Sequence, residues 1–477
     1  MIEFREFSFT YAAGNRPVLS DITFTVKSGE CVLLYGPSGC GKSTLCMTLN
    51  GIIPNLLRGE SKGEILLDGK SIAGRETRDL ATRVGMVFQN PDNQLFAITV
   101  EEDVAFGPEN LGLPQEEMRQ RVDVALKATG LEDIRTRQVH RLSGGQKQRT
   151  AVAGLSAMRP DILVFDEPTA DLDPEGTREV IDLIDRLHRY EHKTIIIVEH
   201  KIREIFPVVD RVITLDNGRI TGDLPGSRFT VPPVLFPRRK PPAKNQGGNA
   251  VIIDIRNLTC SYSDGTTALC GITLSIHAGE CVAFIGRNGS GKTTLIKCIK
   301  GLLHPSAGSI TLYDAKTGCS VPDRGSRIGY LFQNPDHQIV TDRVDTEIAI
   351  GLFGMPPAAA DQITKDALSQ VGLLSLSQRD PCTLSRGERQ RLAVAAVAAL
   401  DPEIIIFDEP TTGQDPENLA AILRTLGHMR QRGKTVLIVT HDHELALYCA
   451  DRVVRIEQGG IGEVIVPQGG MERDHDT

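Results

Sequence analysis

The chain has 477 residues, enough for two to four domains. Its 40% hydrophobic and 24% charged content supports packed cores and excludes wholesale disorder. Asp and Glu number 61 against 53 Lys and Arg, a net charge of −8 that argues against a generally basic nucleic-acid binder; no uncharged apolar run approaches the roughly 18 residues of a membrane span, and ten cysteines without a C-x-x-C pair read as reduced core or loop thiols.

In chain order, Met1-Ile2-Glu3-Phe4-Arg5 has no basic region followed by an apolar core, so no signal peptide is expected. Ile22 to Val26 alternates like a half-buried strand, and Cys31 to Tyr35 is a continuous apolar run ending in a glycine loop. A helix should start near Lys42. From about Glu116 to Thr129, the spacing of Met118, Val122, Ala125 and Leu126 predicts another. Ile162 to Phe165 and Thr194 to Val198 are short and β-branched, as buried strands are. Strands alternating with helices imply an α/β sheet.

After residue 250 the pattern returns. Residues 31–45 read CVLLYGPSGCGKSTL and residues 281–295 read CVAFIGRNGSGKTTL; 84–94 read VGMVFQNPDNQ and 328–338 read IGYLFQNPDHQ; 162–169 read ILVFDEPT and 404–411 read IIIFDEPT. The offset between copies falls from 250 at Gly36/Gly286 to 244 at Gln89/Gln333, 242 at Glu167/Glu409 and 241 at His200/His441. So long a period means a duplicated domain. Between the copies, residues 229–249 hold five prolines and four bases (Arg238, Arg239, Lys240, Lys244) with no acids, and predict an extended, semi-rigid linker. The expected division is a first domain over 1–228, a linker over 229–250, a second domain over 251–466 and a frayed tail over 467–477.

Gly36-Pro37-Ser38-Gly39-Cys40-Gly41-Lys42-Ser43 and Gly286-Arg287-Asn288-Gly289-Ser290-Gly291-Lys292-Thr293 both fit G-x-x-x-x-G-K-[ST], and each runs on into a second hydroxyl, Thr44 or Thr294. The pattern follows from charge. A triphosphate is polyanionic, and successive amides at a helix N-terminus point donors at it. The lysine neutralises the β and γ phosphates, and Ser43 or Thr293 ligates Mg²⁺. Asp166 and Asp408 end apolar strands and would hold Mg²⁺; the adjacent Glu167 and Glu409 would activate the attacking water.

With these motifs in order, the chain apart from linker and tail resembles two ATP-binding cassettes of the ABC transporter superfamily. The resemblance implies an α/β fold: two tandem P-loop NTPase domains of ABC-cassette type, each with a RecA-like α/β core, an antiparallel β subdomain and an α-helical signature subdomain. Leu142-Ser143-Gly144-Gly145-Gln146 matches the family's signature. Gln89 and Gln333 match the glutamine that senses magnesium and the membrane partner. His200 and His441 match the switch histidine at the γ phosphate. Tyr11 and Tyr262 resemble the adenine-stacking aromatic. Ala170-Asp171-Leu172-Asp173 and Thr412-Gly413-Gln414-Asp415 resemble the loop that crosses the dimer interface. In this family two cassettes pack head to tail, and each ATP lies between one cassette's glycine loop and the other's signature. The two halves could pair with each other or with a second copy.

The second signature, Leu384-Ser385-Arg386-Gly387-Glu388, departs at two positions. Under head-to-tail pairing it completes the site built on Lys42, Asp166, Glu167 and His200. The intact signature completes the site built on Lys292, Asp408, Glu409 and His441. The second site is therefore expected to turn over normally and the first equally or more slowly. The bland alternative is that Arg386 faces solvent and changes nothing.

Gln89-Asn90-Pro91-Asp92-Asn93-Gln94, Gln333-Asn334-Pro335-Asp336-His337-Gln338 and the segment from Thr99 to Pro108 resemble the energy-coupling-factor importers, which include the cobalt-type ATPases. Asp345 to Gly351 is less typical. The resemblance implies a peripheral ATPase at the cytoplasmic face of the membrane. Its partners would be a transmembrane coupling subunit and a small membrane protein that captures a vitamin or metal ion; no nucleic acid is expected. Alternatives are a tandem sugar-importer ATPase and an ABC-type translation factor. The N-P-D segments argue against the first, and the short proline-rich linker argues against the second. His140, His188 and His337 read as surface residues rather than metal ligands.

Overall fold

The computed structural model describes all residues except 13, 15, 171, 200–201, 232–249, 264, 315–316, 322–324, 326, 411–415 and 468–477. The chain divides into two compact units, Met1–Pro233 and Val234–Thr477.

Each unit is built on two sheets. In the first, the ten-residue strand Ile2–Tyr11 lies between Leu19–Val26 and Gly59–Leu67, all antiparallel, with Lys70–Ser71 at the edge. Alternation drives one face inward: Ile2, Phe4, Phe9, Leu19, Ile22 and Val26 are fully buried. The second sheet has six strands in the order Arg219–Pro225, Arg211–Asp216, Cys31–Tyr35, Thr194–Val198, Ile162–Asp166 and Val84–Val87. Only the pairing of the first two is antiparallel. Strands buried on both faces lose alternation, which is why Ile162–Asp166 and Thr194–Val198 are apolar along most of their length.

The second unit repeats this arrangement. Val251–Ser261 lies between Thr267–His277 and Ala307–Tyr313. The six-stranded sheet runs Gly460–Ile465, Arg452–Glu457, Cys281–Ile285, Thr435–Val439, Ile404–Asp408, Ile328–Leu331. Each unit also carries a helical layer with its own apolar cluster. In the first it is Val100–Asn110, Gln115–Thr129 and Gly144–Met158, packed through Val104, Val122, Leu126 and Ala153. In the second it is Val344–Ala349, Pro357–Gln370 and Arg386–Ala399, packed through Ile348, Leu368 and Leu392. The α/β core, antiparallel sheet and helical layer expected from sequence are thus present in both halves.

The start of the expected linker behaves otherwise. Phe229 and Val231 pack against the core of the first unit, and the Phe229 ring lies 5.9 Å from Tyr35 and 6.2 Å from Phe206. The apolar residues that open the proline-rich segment therefore extend the first unit's core. The four bases of that segment lie outside the described residues. All ten cysteines are free thiols. Among the described residues no helix is long and apolar enough to cross a membrane.

Candidate functional sites

In each unit the central strand ends in the glycine loop, which opens a helix, Lys42–Leu49 or Lys292–Lys300. Gly41 and Gly291 both stand at φ 106°, where a side chain is strained; a Cβ on Gly41 would lie 2.8 Å from Leu19, and one on Gly291 2.5 Å from the Ala268 carbonyl. Neither helix has a side-chain N-cap bond, which leaves first-turn amides for an anion. Lys42 and Lys292 are buried at the loop. Lys42 Nζ donates to the Gly36 and Pro37 carbonyls at 2.7 and 2.8 Å; Lys292 Nζ donates to those of Gly286 and Arg287 at 2.7 and 2.9 Å. Pro37 and Gly39, like Arg287, Asn288 and Gly289, are exposed on the loop's crown, while Cys40 and Ser290 are buried beneath it. Amides, a buried ammonium and an open crown together suit a polyphosphate.

The strand-end acids meet these loops. Ser43 Oγ donates to Asp166 Oδ1 at 3.1 Å, and Thr293 Oγ1 to Asp408 Oδ1 at 3.4 Å. A hydroxyl and a carboxylate beside a phosphate-binding loop form an all-oxygen donor set, which fits a hard divalent cation such as Mg²⁺. Burial pushes the Asp408 carboxyl up from its ordinary value, partly offset by the hydroxyl of Tyr330, which donates to Oδ2 at 2.8 Å. Glu167 and Glu409 both adopt left-handed backbone conformations, φ 49° and 48°. Each donates its amide to the neighbouring strand, to the Val198 or Val439 carbonyl, at 2.8 Å. Such conformations cost energy for a residue with a Cβ and persist where the surrounding structure imposes them.

Each glutamate carboxylate is met by a residue from another loop. Gln89 Nε2 donates to Glu167 Oε2 at 2.6 Å. In the second unit Gln333 is exposed, and Glu409 Oε2 meets His441, with Nδ1 at 2.9 Å and the backbone amide at 3.3 Å. His200 lies outside the described residues, as do Asp171 and residues 412–415 of the interface-loop segments.

Tyr11 and Tyr262 sit beside the phosphate-loop helices. Their hydroxyls lie 3.0 Å from Thr44 Oγ1 and 2.9 Å from Thr294 Oγ1. The signatures start helices with reciprocal caps. Ser143 Oγ accepts from the Gln146 amide while Gln146 Oε1 accepts from the Ser143 amide, and Ser385 and Glu388 repeat the exchange. Glu388 thus occupies the acidic position of a capping box, where the helix dipole favours a carboxylate. Gly144 opens its helix where Arg386 opens the other. Arg386 is half-buried rather than wholly in solvent.

The N-P-D segments are compact in both units. Asn90 and Asn334 cap a 3₁₀ turn started by Pro91 or Pro335. The aspartates pair with the signature helices, Asp92 with Lys147 at 2.6 Å and Asp336 with Arg389 at 2.7 Å. Gln94 and Gln338 accept from the Phe88 and Phe332 amides at 3.2 Å, tying the turn to the strand end. Just beyond, Asp103 Oδ1 accepts from the amides of Phe96 and Ala97 at 2.7 and 2.9 Å. Glu347 does the same for Val340 and Thr341 at 3.1 and 2.9 Å, so the less typical segment of the second half reproduces the brace with a longer acid. These buried acids fix the backbone at Phe96 and at Val340, and apolar residues lie exposed there and farther along each segment. Phe96, Ile98 and Phe106 are exposed in the first unit, and Val340, Ile350 and Phe353 in the second.

Sequence reasoning missed Tyr330, Asp103, Glu347 and the pairing of Asp92 and Asp336. A position-by-position alignment of the two copies carries one signal: a phenol, Tyr330, stands opposite Met86 inside an otherwise apolar strand. His188 lies against Asp210 at 3.0 Å, and no cluster of three or more His, Cys, Asp or Glu forms a metal site among the described residues.

A family profile described as ABC transporter matches residues 19–170 and 269–412, and an AAA-domain profile matches 378–447. A protein of Methanosarcina acetivorans, provisionally named an ABC transporter ATP-binding protein, is 39% identical over 96% of this chain and 85% of its own length. A Bacillus subtilis protein, provisionally named the HMP/thiamine import ATP-binding protein YkoD, is 33% identical over 97% of this chain and 90% of its own. Among solved structures, CbiO1 from Clostridium perfringens, described as part of the ABC transporter complex CbiONQ, is 39% identical. That match covers 47% of this chain and 88% of CbiO1, with a TM-score of 0.44.

Proposed function

The chain belongs to the ABC transporter family, and from that premise we propose that it hydrolyses ATP to power a membrane importer of energy-coupling-factor type, for a vitamin or transition-metal ion. The ATPase reading rests above all on one duplicated observation: a buried lysine in a glycine loop, with a loop hydroxyl bonded to a strand-end aspartate.

The roles are those that the family resemblance assigns to these residues. Lys42 and Lys292, with the loop amides, neutralise the β and γ phosphates. Ser43 with Asp166, and Thr293 with Asp408, hold magnesium, with Gln89 and Gln333 as further ligands. The bound ion supplies charge neutralisation of the phosphate oxygens. Glu167 and Glu409 orient the attacking water, and His200 and His441 contact the γ phosphate. Tyr11 and Tyr262 stack on adenine. Ser143, Gly144, Gly145 and Gln146 close over the nucleotide on the second unit's loop, and Ser385, Arg386, Gly387 and Glu388 over the one on the first. That arrangement requires head-to-tail pairing of the halves or of two copies.

Three observations support the importer reading: the N-P-D segments, the exposed apolar residues that follow them in both units, and the import-named relative in Bacillus subtilis. Exposed apolar residues beside a nucleotide-sensing glutamine suit a membrane subunit that must feel the ATP cycle. Purification from native membranes tests it. Recovery with a multi-span membrane protein, lost when Phe96 and Phe353 are both changed to Asp, is the expected result. Recovery with ribosomes instead would overturn the importer reading and leave the ATPase intact.

A further inference from the structure

Tyr330 contacts the metal-side carboxylate of the second site, and no phenol stands at its place in the first. It lies in the strand Ile328–Leu331, paired in register with Ile406 of the adjacent strand that ends at Asp408. The residue is 7% exposed, and the Phe332 ring meets its own edge-on at 4.8 Å, which fixes the phenol's direction. Its hydroxyl donates to Asp408 Oδ2 at 2.8 Å while Thr293 Oγ1 reaches Oδ1 at 3.4 Å. Asp408 is 1% exposed, so little water competes for either oxygen. A carboxylate bonded on both oxygens has little freedom to rotate. In the first unit the equivalent residue is Met86, registered with Val164; its thioether accepts from Asn50 Nδ2 at 3.4 Å and has no hydrogen to donate.

We propose that Tyr330 is a positioning residue that fixes Asp408 with Oδ1 turned toward Thr293 and the bound cation, so that the second site's metal-binding geometry is preorganised by a donor absent from the equivalent position of the first. This rests on the reading of Asp408 as the metal-holding acid. Partners one shell out from a metal typically change its affinity by about 10–100-fold when removed. A single bond to the distal oxygen belongs at the lower end of that range.

The test uses the full chain with the first metal site silenced by Ser43→Ala and Asp166→Asn. Mn²⁺ affinity is measured by electron paramagnetic resonance with a non-hydrolysable ATP analogue present. Nucleotide affinity is measured separately in EDTA. Tyr330→Phe, which keeps the ring and drops the hydroxyl, should weaken Mn²⁺ binding by about 10-fold. It should leave metal-free nucleotide binding unchanged, a split that a loss of folding would not produce. Tyr330→Met, matching the first unit, should behave alike. Unchanged Mn²⁺ affinity in both variants would overturn the proposal. Asp408→Asn in the same background separates the two levels. If that change also leaves Mn²⁺ binding intact, the reading of the metal site fails and the tyrosine proposal with it. If it abolishes binding while the tyrosine variants do not, only the tyrosine proposal fails.

Discussion

The two units carry the same Asp-Glu pair at the same strand end, yet surround it differently. Tyr330 donates to Asp408 from a strand position that Met86 fills in the first unit, and Gln89 donates to Glu167 whereas Gln333 is exposed. The glycine loops and lysines, by contrast, agree closely in their carbonyl bonds, 2.7 and 2.8 Å in one unit against 2.7 and 2.9 Å in the other. Phosphate binding depends on backbone amides and so tolerates little drift, whereas the acids can be held by any donor that a neighbouring strand or loop supplies. Differences in turnover between the two sites should therefore originate in how the acids are held and in the signatures, not in the loops.

The sharpest way to break this comparison is to remove each glutamate's charge. Glu409→Gln should lower turnover at the second site about 100-fold or more, the scale of a lost general base, so that the chain keeps only what the first site contributes. Glu167→Gln should cost severalfold at most, because its site is completed by the altered signature. Steady-state ATPase rates of the two variants decide it, and equal losses would show that the sites work as equals.

A second comparison pits two signature glycines against each other. A Cβ on Gly387 would lie 2.1 Å from Nδ2 of the buried Asn418, which is itself hydrogen-bonded to Arg391. A Cβ on Gly145 finds only the Gly176 Cα, at 3.6 Å. Gly387→Ala should destabilise its unit by about 1–3 kcal/mol through overpacking. Gly145→Ala should be neutral or stabilising by up to about 1 kcal/mol, since alanine is the better helix former. Thermal unfolding of the two variants checks the sign, and a larger loss for Gly145→Ala would mean that the first signature helix, not the second, is the tightly packed one.

Much of this was legible in the sequence because it is local. The glycine loops, the apolar strands that end in acids and the signature strings are written within a few residues each. What escaped depends on contacts between distant segments. The Tyr330–Asp408 bond joins residues 78 apart through parallel pairing of two strands. Phe229 reads as the start of a linker because prolines follow it, and only tertiary packing against Tyr35 and Phe206 returns it to the core. Gln89 and Gln333 sit in near-identical strings, yet one reaches its glutamate and the other is exposed. Identical local sequence does not fix a side chain's partner when the partner comes from another loop.

The smallest effect separates the two N-P-D braces. Asp92 pairs with Lys147 as a point charge, so the double change Asp92→Lys with Lys147→Asp should restore what either single reversal loses. An exposed pair of this kind contributes about 0.2–1 kcal/mol, and the carboxylate introduced by Lys147→Asp would sit in the first turns of a helix, where negative charge is favoured. Arg389 does more than pair with Asp336, because its guanidinium also donates to the Leu384 carbonyl at the start of the signature. Exchanging Asp336 and Arg389 recovers the charge pair but not that bond, and aspartate has no donor to replace it. Thermal unfolding at low salt should therefore show near-complete rescue in the first unit and partial rescue in the second. Full rescue in both would mean that Arg389 acts through its charge alone.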